Sequence, residues 1–202
     1  MKQLLQQSID RAVSYETYKD LIKNLLEHNK TTGPNHTEDL VNYTILNDRR
    51  MDRLDKKISI SEDTKQVIKN INKGQVWLVI SEAWCGDAAQ NLPILHKISQ
   101  ASDLIDFKVI LRDENPELMD AFLTNGARAI PKMVLIEKET LEVIGTWGPR
   151  PSEATQMVKD YKEKHGALDA EFKKDLQVWY NKNKGQNLQD DIVKLMKPVV
   201  VE

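Results

Sequence analysis

The sequence predicts an α/β fold with a central mixed β-sheet, flanking helices and helical extensions at both ends, and three observations carry that expectation. Val76-Trp77-Leu78-Val79-Ile80 is a continuous apolar, β-branched run of strand length, the pattern of a strand buried on both faces. After it, residues 88–100 have a helical pattern, 107–111 are strand-like and 116–124 are helical again, the order of a parallel βαβ core. Finally, Met133 to Ile136 and Val143 to Trp147 read as strands linked through Glu137-Lys138-Glu139-Thr140. So short a link calls for an antiparallel hairpin, which makes the sheet mixed.

Ahead of the first strand, apolar residues fall at helical spacing: Leu4, Leu5, Ile9 and Val13, then Tyr18, Leu21, Ile22, Leu25 and Leu26. The segment KTTGPNH, residues 30–36, interrupts them as a loop, and Thr37-Glu38-Asp39 opens a further helix through Leu54. Ser61-Glu62-Asp63 reads as the start of a helix that Lys73-Gly74 ends. Beyond the hairpin, Pro151-Ser152-Glu153 starts a helix that stops near His165-Gly166. Leu168, Phe172, Leu176, Trp179, Tyr180, Leu188, Ile192 and Leu195 then mark one or two amphipathic helices. The expected division is a helical arm over 1–55, a domain over 56–165 and a helical tail over 166–202. Arm and tail are expected to pack on that domain or on a second copy of the chain, as a homodimer.

With 202 residues the chain is long enough for one sizeable core, and a net charge of −2 offers no electrostatic footprint for nucleic acid. The N-terminus lacks the apolar centre of a signal peptide, and no apolar run approaches the roughly 18 residues of a spanning helix. The expectation is a soluble, cytoplasmic protein without a membrane partner. The four histidines have no ligand spacing, so neither a metal nor a cofactor is expected. No phosphate loop, dinucleotide fingerprint or serine-nucleophile elbow occurs.

The chemistry-bearing stretch is SEAWCGDAAQNLPIL, residues 81–95, which holds the one cysteine, Cys85, between a strand and a helix start. A thiol there faces the unsatisfied N–H groups and positive dipole end of the helix, which favour thiolate. Asp87 opposes this by placing a like charge near the sulfur. Arg112, at a strand end, and Lys132, just after Pro131, are candidates to restore positive charge, with Asp87 a candidate proton carrier. Arg112-Asp113-Glu114 also reads as a surface ion-pair loop.

These residues resemble the thioredoxin superfamily over roughly 56–165. Val76 to Ile80 is similar to its central strand, Ala83-Trp84-Cys85-Gly86 to the start of its active-site loop, and Pro93 to the proline in its active-site helix. Gly126 to Pro131 is similar to the segment carrying its cis-proline. The longer strings EAWCGDA, LRDENPELMDAFLTNGARAIPK and GTWGPRP resemble a poorly characterised bacterial thioredoxin-like group with a single-cysteine WCGDA motif. The resemblance implies a thioredoxin-like fold, a nucleophile at Cys85 and a substrate groove bounded by Trp84, Gly86, Ile130 and Pro131. Where that superfamily has its resolving cysteine, loop proline and buried acid, this chain has Ala88, Asp87 and Val79.

A lone thiol that attacks a disulfide stops at a mixed disulfide until an outside thiol resolves it. Two function classes therefore stay open. One is a monothiol oxidoreductase, with a thiol- or disulfide-bearing protein or small thiol as partner and a low-molecular-weight thiol as co-substrate. The other is a redox-inactive binding or scaffold protein that uses the proline groove and the helical arms.

Overall fold

The computed structural model describes residues 1–200. Four strands form the sheet: β1 (Gln75–Ser81), β2 (Ile105–Leu111), β3 (Lys132–Glu137) and β4 (Val143–Trp147), in the order β2-β1-β3-β4. β1 pairs parallel with β2 and antiparallel with β3, and β3 pairs antiparallel with β4. The sheet is mixed because the β1-to-β2 connection crosses over through a helix whereas β3 and β4 meet in a hairpin. Trp77, Leu78, Val79 and Ile80 on central β1 are wholly buried, as a strand covered on both faces must be.

Nine helices surround the sheet among the described residues: α1 (Lys2–Arg11), α2 (Tyr15–Glu27), α3 (Glu38–Lys57), α4 (Glu62–Lys69), α5 (Gly86–Ser99), α6 (Pro116–Ala121), α7 (Ser152–His165), α8 (Ala170–Asn183) and α9 (Gln186–Val200). Ser14, Thr37, Ser61 and Asp169 cap α2, α3, α4 and α8 through side-chain oxygens that accept from the backbone N–H three residues on. α4 stops at Lys69, short of the glycine expected to end it, because the chain turns at Asn70 to bury Ile71. α6 likewise ends at Ala121, where Thr124 and Ala127 form a two-way backbone bridge. The C-terminal tail contains two helices.

Arm and tail pack on the same core as the sheet. Leu5, Tyr15, Tyr18, Ile22 and Met51 of the arm, and Leu188, Ile192 and Met196 of α9, join one cluster with β1 and α5. Val13, in the break between α1 and α2, exchanges both backbone hydrogen bonds with Val109 and so covers the outer edge of β2. Helices α7 and α8 are different. Ala154, Val158, Phe172, Leu176 and Tyr180 form a second, smaller core of their own.

Candidate functional site

Cys85 lies where β1 hands over to α5, and it is the N-cap residue of that helix: Sγ accepts from the Ala88 N–H at 3.5 Å. On its other side Sγ donates to the Ile130 carbonyl at 3.4 Å, and the Ile130–Pro131 peptide that follows is cis. The thiol therefore lies against the Ile130-Pro131 segment, with Gly86 at the start of α5. Trp84, half-buried beside them, has the Arg112 guanidinium stacked 4.8 Å from its ring centre.

Cys85 as a residue is only 9% exposed, and its thiol pKa is pushed up from an ordinary 9.0 to about 12. Burial is the main cause and the neighbouring Asp87 carboxylate the second. Backbone N–H groups of Ala88 and Asp87, with the Arg150 charge, pull the other way and are outweighed. Helix-terminal stabilisation is thus present but loses to desolvation and to a like charge. The bond to the Ile130 carbonyl agrees, since only a protonated sulfur can donate it.

Asp87 is held by residues far away in sequence. Arg150 Nη2 stands 2.6 Å from one carboxylate oxygen, and the Tyr180 hydroxyl donates to the other at 2.9 Å. Asn91 donates in turn to the Tyr180 hydroxyl at 3.3 Å. Burial still raises the Asp87 carboxyl above its usual range despite these partners. The cation near the thiol is therefore Arg150. Arg112 pairs instead with Asp113 at 2.8 Å and reaches the Arg128 carbonyl, and Lys132 Nζ turns to Thr124 Oγ1 at 3.2 Å. Burial depresses the Lys132 amine, and the positive charge that chiefly acts on Sγ is that of Arg150.

Several site residues come from places the sequence pattern did not mark. The Ala83 peptide, two residues before the thiol, is tied at both ends to the N-terminal arm. Its N–H donates to Thr32 Oγ1 at 2.8 Å, and its carbonyl accepts from Asn47 Nδ2 at 2.9 Å. Glu82 is wholly buried; one oxygen accepts from the Asp113 N–H at 2.8 Å, the other has no partner, and burial raises its pKa. A buried acid thus exists three residues beyond apolar Val79. Tyr18 lies under the same loop, fully buried, its hydroxyl 3.4 Å from Ser81 Oγ.

α8 and α3 close over the helix start. A Cβ placed on Gly86 would lie 3.8 Å from Arg50 Nη1 and 3.9 Å from Gln177 Nε2. The side-chain hydrogen bonds of α8 to this region run from Gln90 to Gln177, from Arg53 to Asn181, and through Tyr180 to Asp87 and Asn91.

A mixed sheet with this order, a cysteine capping the helix after the central strand, and an Ile-Pro segment against its sulfur define a thioredoxin-fold protein with one thiol. A sequence model of the thioredoxin family matches residues 33–162, well over half of the chain, and the chain belongs to that family. Two solved structures share the fold. One is a protein of unknown function, PA1234, from Pseudomonas aeruginosa, 14% identical with a TM-score of 0.60, covering 93% of this chain and 99% of its own. The other is an HIV epitope scaffold, 16% identical with a TM-score of 0.56, covering 92% of this chain and 99% of its own. No curated protein matches the chain. Among the described residues no helix is long and apolar enough to cross a membrane.

Proposed function

We propose that this protein carries out monothiol thiol–disulfide exchange through Cys85, which the folded form stores as a protonated thiol. The observation that carries the reading is the placement of Sγ, which caps α5 through the Ala88 N–H and lies against Ile130-Pro131. A sulfur so placed has N–H groups to receive a developing thiolate and a groove edge beside it for an extended partner. Gly86, Ile130 and Pro131 bound that groove, and Trp84 with its stacked Arg112 stands at its side.

The exchange proceeds in two balanced steps. Cys85 gives up its proton, its thiolate attacks one sulfur of a disulfide, and that S–S bond breaks as a bond from Cys85 to the first half forms. The departing half leaves as a thiolate and takes up a proton. An external small thiol then attacks the mixed disulfide, restores Cys85 as a thiol and leaves joined to the first half. Access requires α8 to yield. Its buried apolar residues belong to the separate α7–α8 core, and hydrogen bonds hold it to α3 and α5.

A second reading, a redox-inactive binding protein, draws its support from the burial of Cys85 and its raised pKa. Intact-mass measurement separates the two. After incubation with oxidised glutathione, the wild type should gain one glutathione adduct that reduced glutathione removes, and Cys85→Ser should gain none. If the wild type forms no adduct at any pH the fold survives, the binding reading replaces the redox one.

A further inference from the structure

We infer that α3, α5 and α8 frame a binding site for the carboxylate groups of a small disulfide, one residue from the reacting thiol. The inference rests on the monothiol reading of Cys85 and assigns the chemical class of its small co-substrate. Arg49, Arg50 and Arg53 of α3, with Leu46, line a cavity of about 270 Å³ whose other walls are the carboxamides of Gln90, Gln177 and Asn181. No carboxylate lines it.

Three arginines crowded on one helix face repel one another, and like charges at such spacing destabilise a helix. The acidic residues interleaved with them, Asp48 and Asp52, do not line the cavity. Asp52 and Asp55 of the same helix are engaged by Lys19. Among the described residues, the arginines in ion pairs are Arg112, Arg128 and Arg150. Arg50 finds only the amide oxygen of Asn47, at 3.0 Å, and Arg53 only that of Asn181, at 2.7 Å. Arg50 is half-buried, and burial together with Arg53 works against its charge. A partly desolvated cation with neutral partners gains from any anion that enters.

The geometry of the donors selects the anion. Guanidinium groups present paired N–H donors that match a carboxylate fork, and the surrounding carboxamides can donate or accept at its edges. Position then selects the molecule. A Cβ added at Gly86, next to Cys85, would be in ordinary van der Waals contact with Arg50 Nη1 at 3.8 Å and Gln177 Nε2 at 3.9 Å. A carboxylate held there belongs to a molecule whose sulfur lies only a few bonds away, as in a disulfide of cysteine or a cysteine-containing peptide. With no side chain at Gly86, nothing but α8 and α3 themselves stands between the arginines and the helix start, so the same yielding of α8 that admits a disulfide joins the two sites.

Binding is tested without exchange chemistry by working in Cys85→Ser and comparing oxidised glutathione, which carries carboxylates, with hydroxyethyl disulfide, which is neutral. Calorimetric titration should show at least about ten-fold tighter binding of oxidised glutathione, and Arg50→Gln with Arg53→Gln should abolish that preference. Arg11→Gln, in α1, controls for net charge and should leave it intact. Equal affinity for the two disulfides, or a preference that survives loss of Arg50 and Arg53, overturns the site. The outcome is independent of the redox reading: a Cys85→Ser protein that shows the preference keeps the carboxylate site even where the wild type forms no adduct.

Discussion

Replacing Arg150 by Met should destabilise the protein by about 3 kcal/mol, seen as a lower midpoint in urea denaturation with an unchanged slope. The cause is the charge left behind. Asp87 has its side chain 11% exposed, and removal of Arg150 strands that carboxylate in a largely dry site with only the Tyr180 hydroxyl. The figure is the low end for a broken buried ion pair because the Arg150 side chain is itself 23% exposed. Asp87→Asn combined with Arg150→Met should recover most of the loss, since two neutral groups leave no buried charge. A double variant as unstable as Arg150→Met alone would mean that Arg150 acts by packing and not by pairing. The single change should also lower thiol reactivity further, because Arg150 is the cation that opposes the Asp87 charge at Sγ.

Gly148→Ala should cost more, about 4 kcal/mol or above, or prevent folding altogether. At Gly148 φ is +116°, a region that side chains rarely adopt, and an added Cβ would fall 2.2 Å from the Pro131 carbonyl oxygen. Neither atom can move cheaply, since the oxygen is backbone and the Cβ is fixed by the backbone at its own Cα. The same close approach sets the Gly148-Pro149-Arg150 turn against the segment that faces the thiol. Thermal unfolding by circular dichroism checks the result. A melting temperature within a few degrees of wild type would show that the turn is not fixed by this contact.

Much of the fold is legible because its signals are local. The apolar run at 76–80, the helical spacing after Cys85 and the short link before Val143 each specify an element from its own residues. Element ends are less legible: α4 stops at Lys69 because Ile71 is drawn into the core, a tertiary demand that Lys73-Gly74 does not reveal. The site divides in the same way. Cys85 at a helix start beside Ile130-Pro131 follows from motif and order, and so does the adverse charge of Asp87 on the sulfur. Its partners do not, because Arg150 and Tyr180 come from a turn and a tail helix far along the chain. Periodicity says which face of α8 is apolar and nothing about which carboxylate its tyrosine will meet. Thr32 and Asn47, which hold the Ala83 peptide, are ordinary polar residues in sequence and become informative only when found buried. Glu82 is hidden for a similar reason: a carboxylate at a strand end normally faces water. Adjacency alone marks Arg112 and Lys132 as candidates, whereas in the fold they engage Asp113 and Thr124.

We propose that Cys85 is a suppressed nucleophile, held as a thiol by burial and by Asp87. Alkylation of Cys85 by iodoacetamide, a neutral reagent, followed by mass spectrometry as a function of pH, decides whether the thiol is suppressed in this way. A rise in pKa from 9.0 to about 12 lowers the thiolate fraction about a thousand-fold at neutral pH. The predicted rate is correspondingly slow at about pH 7, climbs about ten-fold per pH unit up to about pH 10 without a plateau, and is faster throughout in Asp87→Asn. A plateau below about pH 8.5 would show an activated thiolate and rule out suppression; equal rates in the wild type and Asp87→Asn would rule out the role of the Asp87 charge.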